Sequence, residues 1–199
     1  TSHSFSGYCM FRKFTNAADA MTIAPGMVMI SFSAIALGAA FGGYLPLIAL
    51  WMETLEVSFQ QIGIVSGTSA LGIICSAYFA PQLAQKYGYV VTINIGLVLA
   101  AVMTVLFRYT ENYAAWLAIR FVSGLGLGLH WVLTEAWLAN IVSDQGRTRV
   151  MAIYATAISV GFAAGPAVIW LFGFSTPTPF YLIALFLLIA AWPIYRLRR

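Results

Sequence analysis

Charge is scarce in this sequence. Lys, Arg, Asp and Glu make up 8% of the 199 residues, 10 basic against 6 acidic, where an ordinary soluble domain carries about 25%. A soluble fold needs a charged skin, and so few charges cannot supply one. That excludes a soluble enzyme and a disordered tail. Cysteine and histidine are scarcer still: Cys9, Cys75, His3 and His130 are the full set. Two distant cysteines make no disulfide framework, and no Cys/His cluster has metal-site spacing, so no metal or cofactor is expected. The net charge of +4 would suggest nucleic acid only if basic residues shared one solvated face. They fall instead in small groups between long apolar stretches, so no nucleic-acid partner is expected. What the sequence has in quantity is hydrophobic side chains, 61% of residues, and the lipid bilayer is the solvent that fits them.

Crossing a hydrocarbon core takes roughly 20 apolar residues of helix. Six runs qualify: Ala24–Trp51, Ile62–Leu83, Val90–Phe107, Ala114–Val142, Val150–Phe172 and Phe180–Tyr195. The expected fold class is an all-α membrane protein with six transmembrane helices. The first run is too long for a signal-peptide core and is read as a span. With the N-terminus in the cytoplasm, the inside segments carry Arg12, Lys13, Lys86, Arg147, Arg149, Arg196, Arg198 and Arg199. The outside segments carry Arg108 as their one basic residue, beside Glu53, Glu56 and Glu111. This positive-inside bias puts both termini in the cytoplasm. Residues 1–22 stand apart as a cytoplasmic tail. There Phe5, Tyr8, Phe11 and Phe14 recur every third residue beside Arg12 and Lys13, a pattern suited either to a short interfacial helix or to a loose tail.

Lipid gives no hydrophobic push between helices, so close packing relies on small residues, often as G-x-x-x-G. Gly38/Gly42, Gly63/Gly67, Gly124/Gly128 and Gly161/Gly165 put that pattern in the first, second, fourth and fifth helices. Those four are expected to pack centrally, with the third and sixth outside against lipid. The outer helix comes third in each set of three. Three-helix units insert with opposite orientations, so the expectation is two inverted repeats.

The fourth helix carries Arg120, His130 and Glu135 inside one apolar run. A charge near the bilayer centre costs about 2.5–3.5 kcal/mol, so it should face protein or water. At 100° per residue, Arg120, Gly124, Trp131 and Glu135 fall in one wedge about 60° wide, with His130 about 80° off the Arg120 direction. Arg120 and Glu135 stand about 22 Å apart along the axis and cannot pair. The functional reading is a water-filled path in which Arg120 attracts an anionic or polar group and Glu135 or His130 takes protons. The plainer readings are a snorkelling Arg120, a Glu135 paired to Arg147, Arg149 or Lys86, and a hydrogen-bonded packing role for His130. Tyr44, Asn94 and Tyr154 are further candidates for the path. Trp51, Trp116, Trp170 and Trp192 lie near span ends, as an aromatic belt would.

On these helices the local motifs resemble the major facilitator superfamily, in its N-terminal six-helix half. Leu83-Ala-Gln-Lys-Tyr-Gly88 resembles the family's loop G-x-L-a-D-r-x-G-r-k, with Pro81 for the first Gly and Gln85 for the Asp. The resemblance implies a gating role for Gln85, Lys86 and Gly88, although the missing Asp removes a gating salt bridge. Arg120-Phe-Val-Ser-Gly124-Leu-Gly126 resembles R-x-x-x-G-x-G, tied to proton coupling or substrate binding. Gly161-Phe-Ala-Ala-Gly165-Pro166 resembles the G-x-x-x-G-P of proton-coupled antiporters, and implies a conformational role for Gly161, Gly165 and Pro166. Glu135-Ala-Trp-Leu with Arg147-Thr-Arg149-Val and Tyr154 resembles a bacterial branch with E-S-W-L-N, R-G-R-V and Y, and implies gating by Arg147 and Arg149 in a bacterial inner membrane. The resemblance covers residues 24–199 and divides the chain into the tail 1–22, a six-helix bundle 23–196 and the start of a central linker at 197–199. It implies half of a twelve-helix protein, to be completed by a second six-helix half in cis or by dimerisation.

The resulting expectation is a secondary transporter working by alternating access, exporting an amphipathic or anionic compound with proton coupling. An uptake carrier for a sugar or organic acid is the alternative, as is a non-transporting receptor or assembly subunit. A membrane enzyme is not expected. An intramembrane serine protease needs G-x-S-G and a later His, whereas Gly63-Ile-Val-Ser66-Gly67 misses the spacing and no His follows His130. No loop resembles a channel filter.

Overall fold

The computed structural model describes residues 17–141 and 144–196, with side chains over 27–138 and 146–194. The aromatic tail positions 5, 8, 11 and 14 and the linker at 197–199 lie outside the described residues. Seven helices are described: α1 (Ala17–Thr54), α2 (Phe59–Tyr87), α3 (Tyr89–Arg108), α4 (Tyr113–Ile141), α5 (Asp144–Ala164), α6 (Ala167–Phe172) and α7 (Thr178–Arg196). Five helical stretches among them are long and apolar enough to cross a membrane, the fifth, Gly146–Phe172, joining α5 to α6. The sixth expected span is the shorter apolar helix Thr178–Ile194. Length and composition therefore qualify five crossings where the sequence suggested six.

Local chemistry sets the breaks. Gly88 alone connects α2 to α3, with φ +86°, a region where a Cβ is disfavoured. Its N–H closes α2 on the Ala84 carbonyl at 2.8 Å, and the Thr92 hydroxyl donates to its carbonyl at 2.9 Å. Between α1 and α2, Glu56 takes φ +57°. The fifth span breaks at Gly165-Pro166, because proline supplies no N–H and its ring displaces the preceding turn. Helical bonding resumes at once, with the Trp170 N–H on the Pro166 carbonyl at 3.1 Å.

Long-range packing joins α1 to α5, α2 to α4, α3 to α4, α1 to α7 and α3 to α7, while α1–α2 and α4–α5 meet only slightly. Exchanging α1 with α4, α2 with α5 and α3 with α7 turns each of the first four pairs into another of the set and leaves α3–α7 as it is. Glycine permits the closest approaches. On α1 a Cβ at Gly38 would strike the Ile158 carbonyl of α5, and one at Gly161 would strike the Ile35 carbonyl. Between α2 and α4, Gly72 lies on the Phe121 carbonyl and Gly124 on that of Ser69, while Gly96 and Gly126 bring α3 onto α4.

Two expectations are corrected here. Gly63 and Gly67 are not a packing pair, since a Cβ at either meets open space; α2 reaches α4 through Ser69, Gly72 and Ser76 instead. Nor are α2 and α5 central within this bundle. The apolar windows of α1 and α4 are 56% buried and that of α3 is 44% buried, against 28% for α2 and 22% for the fifth span. The reason is that α2 and α5 each pack chiefly on one neighbour, whereas α3 is held by both α4 and α7. The aromatic belt is half right. Trp170 and Trp192 are exposed, but Trp51 and Trp116 are buried. Trp116 stacks on Phe107 at 5.8 Å and donates to the Thr110 carbonyl at 2.7 Å. Trp51 lies under the Arg108 guanidinium, 3.9 Å from its ring centroid.

Candidate functional site

The two central helices, α1 and α4, meet through side chains rather than close backbone, and the unusual chemistry lies on that seam. At one level, Arg120 is 1% exposed. Its guanidinium stands 4.7 Å from the Tyr44 ring centroid, and its Nε donates to the Val65 carbonyl of α2 at 3.5 Å. Nη1 has no partner among the described residues, and no described carboxylate pairs with the side chain. A cation–π contact returns about 0.5–2 kcal/mol, of the same order as, but below, the insertion cost of a buried charge. Arg120 is thus a buried cation with an aromatic face and no anion. The Tyr44 hydroxyl and Ser123 Oγ share a hydrogen bond of 3.3 Å, tying α1 to α4 beside it. A small apolar crevice of about 10 Å³, room for one water, lies between Tyr44, Ala40, Leu127, Thr104 and Leu187.

Further along the seam, Trp131 Nε1 donates to Glu135 Oε1 at 2.8 Å. Phe41 of α1 meets the Trp131 ring edge-on, centroids 6.1 Å apart at 67°, and lies 6.3 Å from the Phe162 ring of α5. Trp131 is 37% exposed and Glu135 is half-buried. Its other neighbours on α4 are apolar or small, and the Trp131 indole is its one hydrogen-bond donor given by the geometry among the described residues. The expected single wedge therefore splits. Trp131 and Glu135 lie on the open side, Gly124 packs on α2, and Arg120 belongs to a buried stripe with Ser123, His130 and Thr134. The spacing of that stripe, with Leu127 between, is i, i+3, i+7, i+10, i+14, one helix face. Ser123 and Thr134 were missed because a hydroxyl in an apolar run is a weak signal alone. Their register with Arg120 was the legible clue.

His130 is 1% exposed, with both ring nitrogens unpartnered among the described residues. Tyr154 is buried in a second cluster with Trp137, Leu138 and Val150. Asn94 turns its amide onto its own helix, donating to the Val90 carbonyl at 2.7 Å. Gln85 and Lys86 are exposed, the Lys86 ammonium 5.1 Å from the Tyr87 ring. Arg147 and Arg149 are exposed near the start of α5. Gly161 and Gly165 face α1, a Cβ at Gly165 meeting the Gly43 nitrogen, and Pro166 follows as the break. The structure thus groups Tyr44 with Arg120 and Trp131 with Glu135.

A bundle of helices of this length and apolar composition is that of an integral membrane protein. The profile of the Major Facilitator Superfamily matches residues 30–199, and the chain belongs to that family. The family is one of transporters, not enzymes. Similar proteins include the uncharacterised MFS-type transporter YfkF of Bacillus subtilis, 27% identical over 143 residues, 72% of this chain and 37% of that protein. An uncharacterised MFS-type transporter of Yersinia pestis is 25% identical over 119 residues, 60% of this chain and 31% of its own length. YcaD of Salmonella paratyphi A, likewise an uncharacterised MFS-type transporter, is 22% identical over 152 residues, covering 76% and 38%. The matched stretch thus spans about a third of each of these relatives.

Proposed function

We propose that this chain is one six-helix half of a secondary transporter that carries an anionic or amphipathic solute by alternating access. The observation that carries the reading is Arg120, a buried guanidinium with no described carboxylate partner. A solute carboxylate or comparable anion supplies what the fold withholds. The interchange symmetry of the helix pairs supports two inverted three-helix repeats, with α7 as the sixth span. The barely covered faces of α2 and α5 support a second six-helix half, in cis or by dimerisation, closing the path across the α1/α4 seam. Both termini face the cytoplasm of a bacterial inner membrane, on the positive-inside bias and the bacterial relatives.

Export with proton coupling is the direction favoured by the Gly161-to-Pro166 motif, with Glu135 the proton carrier. Arg120 serves an entering organic acid equally well, which keeps uptake as the second reading. Gln85, in place of the family's Asp, is the feature that favours a non-transporting subunit. The test is solute flux in proteoliposomes holding the protein with its second half. Arg120→Ala should lower carboxylate flux at least tenfold while sparing a neutral analogue. Equal loss for both solutes removes the anion reading. Glu135→Gln should abolish pH-driven exchange, and an unchanged pH dependence removes the proton role.

A further inference from the structure

The end of the bundle where α3 stops and α7 starts holds groups that the Arg120 seam does not use. Arg108 closes α3 on the side where the positive-inside bias disfavours a basic residue. Its guanidinium is held over the Trp51 ring of α1 at 3.9 Å. Trp51 is itself braced edge-on by Phe180 of α7, centroids 6.3 Å apart at 83°. Nη2 donates to the Ser175 carbonyl at 3.4 Å, a long bond. Neither partner carries charge, and Nε has no partner among the described residues. A guanidinium has five N–H donors, so a fixed cation stands here with donors to spare.

Across the neighbouring α3/α7 seam, Tyr109 and Tyr181 join their hydroxyls in a hydrogen bond, and both rings are exposed. The Arg108 charge acts on the Tyr181 hydroxyl. In such a pair one hydroxyl donates to the other, so the second keeps its own proton for an outside acceptor. From the tyrosines two exposed apolar stripes run into the membrane at matching depths: Leu106, Val102 and Val98 on α3, Leu185 and Leu188 on α7. The two helices pack side by side. Tyr109 to Val98 spans about 16 Å at 1.5 Å per residue, close to half of a roughly 30 Å hydrocarbon core. A cation and a hydroxyl above an apolar face one leaflet deep are complementary to a phosphate above acyl chains. Arginine N–H groups fit phosphate oxygens, and tyrosine rings lie at headgroup level.

We propose that Arg108, Tyr109 and Tyr181 bind the phosphodiester of a phospholipid whose acyl chains lie along Leu106, Val102, Leu185 and Leu188. The site belongs to the leaflet at the Arg108 end, the outer one in the orientation proposed above, and it stands whichever way the bundle inserts. The experiment is native mass spectrometry of the delipidated protein with its second half, titrated with dioleoylphosphatidylglycerol. Two further probes separate the sources of affinity: dioleoylglycerol, which has the chains without the phosphate, and glycerol phosphate, which has the phosphate without the chains. The phospholipid should give a saturable adduct at concentrations where neither probe does. Arg108→Gln should weaken that adduct at least fivefold. Tyr109→Phe combined with Tyr181→Phe keeps both rings, removes the hydroxyls, and should weaken it about threefold. Equal binding of dioleoylglycerol shows an apolar surface without headgroup recognition, and equal binding of glycerol phosphate shows a site for free phosphate; either overturns the proposal. So does wild-type affinity in the tyrosine double variant together with Arg108→Gln protein that elutes as a single species.

Discussion

At the residue scale, the seam is held by a few side chains whose replacements separate distinct terms. Tyr44→Phe keeps the ring over Arg120 and removes only the 3.3 Å bond to Ser123. It should cost about 0.5–1.5 kcal/mol, the net worth of one hydrogen bond. Tyr44→Leu also removes the ring face and should cost a further 0.5–2 kcal/mol or so. Thermal unfolding in detergent reads the difference, and equal losses in the two variants would show that the ring contributes nothing to Arg120. Backbone strain gives a second prediction. Glu56 holds φ +57°, which costs a non-glycine residue roughly 1–2 kcal/mol. Glu56→Gly should therefore raise the unfolding temperature, whereas Gly88→Ala at φ +86° should lower it.

At the element scale, glycines that look alike in sequence do different things. Gly38, Gly124 and Gly161 each carry a neighbouring backbone where a Cβ would stand, while Gly63 and Gly67 face open space. Gly38→Ala and Gly124→Ala should destabilise the bundle by about 1–3 kcal/mol through overpacking. Gly67→Ala should leave it unchanged or slightly steadier, because alanine is the better helix former by nearly 1 kcal/mol. Fluorescence-detected elution after heating compares the three, and an equal loss at Gly67 would contradict the packing described. The spacing of the pairs was legible in the sequence, but their faces were not. A G-x-x-x-G repeat states that a small-residue groove exists and says nothing about whether a neighbour fills it. The fifth span, read from the sequence as one run, breaks at Gly165-Pro166, where proline lacks the N–H that regular helical bonding needs.

At the scale of the whole molecule, the open faces of α2 and α5 are the largest consequence of the packing. Exposed Ile64, Leu71, Ile74 and Tyr78 run along α2, with Val160, Phe162 and Trp170 along the fifth span. Cys75 sits among the first set and is exposed, so it reports on that face directly. In a Cys9→Ser background, Cys75 should react readily with a membrane-permeant maleimide when this chain is alone. Addition of a second six-helix half should slow the reaction at least tenfold. Undiminished labelling in the assembled protein would place the second half elsewhere.

The sequence by itself determined the solvent, the helical class and the location of Arg120, His130 and Glu135 within one apolar run. Each of these follows from composition or from counting along the chain, because a bilayer demands apolar length and a helix has a fixed period. The tertiary structure decided which side of each helix has a neighbour. Period gives the angle between Arg120 and Glu135, not the direction of α1, α2 or α3, and only those directions separate a buried arginine stripe from an open carboxylate. Burial of Trp51 and Trp116, exposure of Gly63 and Gly67, and enclosure of His130 depend on contacts between residues far apart in the chain. No local pattern encodes them.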